Sequence, residues 1–269
     1  MKVRSTAVRI SVATAVLIFV SMLCSCGGPS GSGSGNPPVL PTMNGNWAIT
    51  GTISTNNSLT MGANLSTNGS SITGIMHVYT ACFMFSGNIL YDVPVTGTIS
   101  SAGALTLISS PIASQVLSIS GQWNTGAVTS GTYSIKGGCD DGLSGTIYGS
   151  SVPAFTGSYS GTFTSKEYLG LSTGVKVSMS QSAADSEGFY YVTGTATFTG
   201  SPCYTNGNIS SSLIFGNYIQ AEVDTANGPI IFIGTVDSTG KTITGQYSAL
   251  GNAPKCNSDY GTGSIIQSQ

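Results

Sequence analysis

The sequence predicts an all-β protein made of two tandem antiparallel units of about eight strands each. Three observations carry this. Apolar and polar residues alternate along most segments after residue 26. Turn dipeptides interrupt those segments at spacings of about ten residues, the rhythm of stacked hairpins. Motifs of the first half return 114 to 121 residues later in the second.

In the first unit, strand candidates start near Asn46, Leu59, Ser71, Phe83, Val95, Leu105, Val116 and Thr129, with a closing strand from Leu143. Leu59, Met61, Ala63 and Leu65 share one face, opposite Thr60, Asn64 and Ser66. The second unit repeats the habit. Val175, Val177 and Met179 alternate with Lys176, Ser178 and Ser180, and Ile219, Ala221 and Val223 with Gln220, Glu222 and Asp224. A period of two means strands with one buried face. Asn68-Gly69, Ala102-Gly103, Asn206-Gly207, Asn227-Gly228 and Thr239-Gly240 supply turns.

The duplication shows in CFMFSGNI at 82–89 against CYTNGNI at 203–209, and in GAVTSGTYS at 126–134 against GKTITGQYS at 240–248. It divides the chain past the N-terminal segment into residues 45–150 and 157–269, joined near Ser151–Thr156. Eight antiparallel strands can close into a small up-and-down barrel, which removes exposed edges. Gly51, Gly97, Gly131, Gly145, Gly161, Gly194, Gly234 and Gly261 each precede a threonine and mark bends or close backbone approaches. In strand number and size each unit resembles a calycin-type barrel, although no signature motif of lipocalins or streptavidin is present. A pair of β-sandwiches or one larger barrel is the alternative.

The N-terminus reads differently. Lys2, Arg4 and Arg9 precede an apolar stretch from Ile10 to Leu23, the layout of an export signal. Leu23-Cys24-Ser25-Cys26 resembles the lipobox of bacterial lipoproteins. The resemblance implies cleavage after residue 25, a diacylglyceryl group on Cys26, and a membrane as partner. Residues 26–44 then read as the lipidated cysteine and a Gly/Ser/Pro tether, and its 18 residues from 27 to 44 reach about 23 Å as a flexible coil. Gly27 follows the lipid site, where enterobacterial lipoproteins kept on the inner membrane carry aspartate. That favours a cell-envelope address at the outer membrane, with surface exposure open.

Export permits disulfides. Of the three pairings open to the remaining cysteines, the repeat selects Cys82 with Cys139 and Cys203 with Cys256, each within its own unit. Past the signal, five lysines face ten acids, a formal charge of −5. No basic patch exists to neutralise phosphates, which excludes nucleic acid as partner.

No catalytic set stands out. His77 is the sole histidine, without a recognisable acid partner, and reads as an ordinary strand residue. Glu222 and Asp224 share a polar strand face, a weak glycosidase pair. Asp140-Asp141-Gly142 could offer oxygens to calcium but reads more simply as a polar turn. No cofactor is implied. Trp123, Tyr190 and Tyr191 are candidate ligand-binding aromatics, while Trp47, Tyr133, Tyr159 and Tyr247, recurring at equivalent places, read as core. The expectation is a membrane-anchored, non-enzymatic binding or structural lipoprotein taking a small apolar ligand or a glycan. A carbohydrate-binding adhesin is the alternative, and a hydrolase comes third.

Overall fold

The structure is a computed structural model, which describes residues 41–54, 57–82, 90–168, 170–251 and 257–268. The segment read as a signal, with Cys24, Cys26 and the expected tether as far as residue 40, lies outside the described residues.

Among the described residues sixteen strands form two closed barrels, each strand pairing antiparallel with its neighbours in the same barrel. The first holds β1 (Gly45–Ser54), β2 (Asn57–Asn68), β3 (Ser71–Val78), β4 (Tyr91–Ile99), β5 (Ala104–Ser109), β6 (Val116–Asn124), β7 (Ala127–Lys136) and β8 (Ser144–Ser151). The second holds β9 (Gly157–Ser165), β10 (Ser172–Gln181), β11 (Val192–Thr199), β12 (Asn206–Phe215), β13 (Tyr218–Thr225), β14 (Gly228–Val236), β15 (Thr242–Leu250) and β16 (Asn257–Gln267). Closure comes from β1 on β8, with Trp47 opposite Ser151, and from β16 on β9, with Ile265 opposite Gly161. The sandwich and single-barrel alternatives are thereby set aside.

Two expectations shift. The closing strand expected from Leu143 is the true eighth strand of the first barrel, and the fourth starts at Tyr91. Phe83, where a strand was expected, lies outside the described residues. Met43 and Asn44, at the end of the segment expected to be a tether, belong to the fold. Met43 is buried, its N–H donates to Thr67 Oγ1 at 2.8 Å, and Asn44 Oδ1 accepts from Thr67 N at 2.7 Å.

Inward residues fill both barrels. Trp47, Tyr133, Tyr159 and Phe155 are among the largest fully buried side chains. The inward glycines make room for rings. A Cβ on Gly51 or Gly145 would stand 2.9 Å from the Tyr133 ring, and one on Gly261 would stand 2.9 Å from the Tyr247 ring. In the second barrel Phe163 stacks between Phe232 and Tyr247, with ring centroids 5.7 and 4.8 Å away. Packing is tight: the void in the second barrel beside Phe163, Val175, Phe198 and Ile230 measures about 50 Å³. Voids in the first barrel, beside Ala63 and Met76 and beside Met43 and Trp47, measure about 10 Å³ each.

Cys82 and Cys139 are disulfide-bonded, with Cα atoms 5.8 Å apart. Gln115, fully buried beside them, donates its amide to Ala81 O and accepts from Asp140 N through Oε1 at 3.1 Å. Bridge and amide together pin the 79–82 segment to the turn at Gly138–Asp140. Cys203 is also disulfide-bonded, while Cys256, its expected partner, lies outside the described residues.

Candidate functional site

Both barrels belong to one compact unit, and a specific seam joins them. The Asn46 side chain clamps the β12–β13 turn. Its Nδ2 donates to Gly216 O at 2.8 Å, and its Oδ1 accepts from Gly216 N at 2.7 Å. Gly216 has φ +54°, and a Cβ on Gly62 would fall 2.5 Å from its nitrogen. Only glycines allow the two backbones this approach.

His77 lies at the same seam rather than on an open strand face. It is fully buried, stacked on Phe189 with centroids 4.0 Å apart and tilted against Phe215 at 5.5 Å. It does have an acid partner. Asp92 faces it across the β3–β4 pair, and Nδ1 lies 3.0 Å from Asp92 Oδ1. A carboxylate can only accept, which puts the proton on Nδ1. The β3–β4 register brings the pair together, and it was not readable without knowing where β4 starts. Enclosed by two phenyl rings, the imidazole is out of reach of a substrate.

Of the three aromatic candidates, Tyr190 is buried and donates its hydroxyl to Asn64 Oδ1 at 2.7 Å, across the seam. Trp123 packs partly buried against the first core. Tyr191 is 36% exposed, and its hydroxyl donates to Asp185 Oδ2 at 2.6 Å. That bond, with some burial and the charges of Asp185, Glu187 and Asp92, pushes the phenol up to about 12. Burial works to raise the Asp185 carboxyl, but hydrogen bonds from Tyr191 and from the N–H groups of Phe189, Glu187 and Gly188 outweigh it and hold the carboxyl below its usual range.

The Tyr191 shift is upward, so its contribution to stability is complete below the ordinary tyrosine value of about 10. It is lost as pH rises from there through about 12. In an ultraviolet titration, Asp185→Asn should move one phenol down toward the ordinary value; an unchanged curve would refute the coupling.

Glu222 and Asp224 lie on the outer face of β13, Glu222 opposite Ile231 and Asp224 opposite Pro229. Nothing in that placement converges on a common reacting atom. Asp141 serves the turn, its Oδ1 accepting from Gly137 N at 2.7 Å. Among the described residues no group of three or more His, Cys, Asp or Glu side chains is placed to hold a metal ion.

One surface escaped the sequence reading. The outer faces of β14, β15 and β16 carry a groove of about 540 Å³ that reaches Tyr218 at one end and Tyr260 and Lys166 at the other. Outward positions alternate with the core: Ile231, Ile233 and Thr235 on β14, then Thr244, Gln246 and Ser248 on β15. Ile233 and Tyr260 are 44% and 48% exposed. The signal was present in Pro229-Ile230-Ile231-Phe232-Ile233, where apolar residues occupy both strand faces.

No protein-family model matches the chain, and no curated protein is similar to it.

Proposed function

We propose that the protein is a lipid-anchored, non-enzymatic module of the cell envelope that presents a rigid pair of barrels and binds on their outer surface. The filled interior carries this reading. A void of about 50 Å³ is far below the roughly 300–1,000 Å³ of ordinary small-molecule sites. A barrel-interior ligand of the lipocalin kind is therefore left aside, and recognition falls to outward side chains.

The non-enzymatic part is supported by His77, walled off between Phe189 and Phe215, and by the outward placement of Glu222 and Asp224 on β13. The anchor rests on the lipobox resemblance at Leu23–Cys26. A single lipid chain gives only marginal binding, so a diacylglyceryl group on Cys26 is the type of anchor that holds.

Mass spectrometry of the mature N-terminus tests the address. The expected product begins at Cys26 and carries the diacylglyceryl mass. An unmodified Cys26, or cleavage elsewhere, would overturn the lipoprotein reading.

A further inference from the structure

The two barrels are copies, so each outward position in one has a counterpart in the other. Cross-strand glycines fix the alignment. Gly121 faces Gly131 in the β6–β7 pair, as Gly234 faces Gly245 in β14–β15. Tyr133 faces Gly145 in β7–β8, as Tyr247 faces Gly261 in β15–β16. Counting from those glycines, Ile231, Ile233 and Tyr260 occupy the places that Ser118, Ser120 and Ser144 hold in the first barrel. The scaffold accepts serine at all three positions. The bulky residues of the second barrel are thus not required by the fold, and they border its groove.

We propose that this groove is a binding site for an oligosaccharide bearing acidic sugars. A sugar ring has a C–H face that packs on apolar or aromatic surface and a rim of hydroxyls that needs hydrogen-bond partners. Tyr218, Ile231, Ile233 and Tyr260 supply the first; Thr235, Thr244, Gln246 and Ser248, standing between them, supply the second. Charge selects the acidic class. Among the described residues Lys166 is the one charged residue lining the groove, and none of the chain's ten acids lines it. In an exported part of formal charge −5, the lining of this groove carries an ammonium and no carboxylate, Glu222 standing outside it opposite Ile231 on β13.

The proposal rests on the outer-surface reading above and names its ligand class. Calorimetric titration of the purified protein with uronic-acid tetrasaccharides and neutral glucose tetrasaccharides tests it. The acidic sugar should bind more tightly. Replacing Ile231, Ile233 and Tyr260 together by serine should weaken binding about tenfold or more, roughly 1.4 kcal/mol. Lys166→Gln, on an exposed turn, should abolish the preference for the acidic sugar, and it keeps the test informative if the triple variant does not fold. Ser120→Ala in the first barrel should change nothing.

Absence of binding to either sugar overturns the proposal. So does a well-folded triple variant that binds as the wild type does, or a wild-type dimer in light scattering that this variant makes monomeric. The two readings fail separately: an unlipidated Cys26 would remove the anchor and leave sugar binding intact, while a silent titration would leave the anchor standing.

Discussion

Replacing Cys82 and Cys139 together by serine should lower the unfolding free energy by about 4 kcal/mol. The bridge spans 57 residues, and a loop of that size loses much conformational entropy when it is tied in the unfolded chain. A stability change of this size is a large part of a domain's usual 5–15 kcal/mol. Removing both sulfurs avoids a reactive thiol that would confuse the result. The native state should change little, because Gln115 still ties Ala81 to the backbone of Asp140. Urea denaturation of both proteins checks the value, and a difference under about 1 kcal/mol would show that the bridge is incidental to stability.

Asn46→Ala should cost about 3 kcal/mol although it removes only a small side chain. Two buried hydrogen bonds to Gly216 disappear, each with a net contribution of about 1 kcal/mol. Their loss also strands the Gly216 N–H and C=O against Gly62, where a Cβ would already be too close to the turn. Unpaired buried polar groups cost about 1–3 kcal/mol each, so the penalty exceeds that of the bonds alone. Asn44→Ala makes the comparison. It removes one exposed bond to Thr67 N and should cost no more than about 1 kcal/mol. If both variants unfold at the same denaturant concentration, the seam contributes little and the barrels fold independently.

The barrels were legible because alternation is a local signal. Leu59, Met61, Ala63 and Leu65 are all buried, as their spacing requires. The motif repeat reached further and gave the within-unit pairing of Cys82 with Cys139. The seam was not legible for the opposite reason. Its bonds join Asn46 to Gly216 and Asn64 to Tyr190, 170 and 126 residues apart, with no counterpart in the repeat to mark them. His77 shows the result: its strand position is ordinary, and only the second barrel turns its outer face into an interior. The groove was hidden by a different ambiguity. An unbroken apolar run reads as a strand buried on both faces, whereas Ile231 and Ile233 point outward.

Barrel closure also sets the distances that assembly must span. The first barrel is complete only when β8 reaches β1, with Trp47 opposite Ser151. The second must bring Tyr159 to Gln267. Such distant pairings make folding slow, because most of the chain must be gathered before the last strands reward it. All pairings of the first barrel are nevertheless contained between Gly45 and Ser151. That half can therefore close while the second is still unfolded. The Asn46–Gly216 pair, 170 residues apart, needs strands from both barrels and so forms only where the two halves meet.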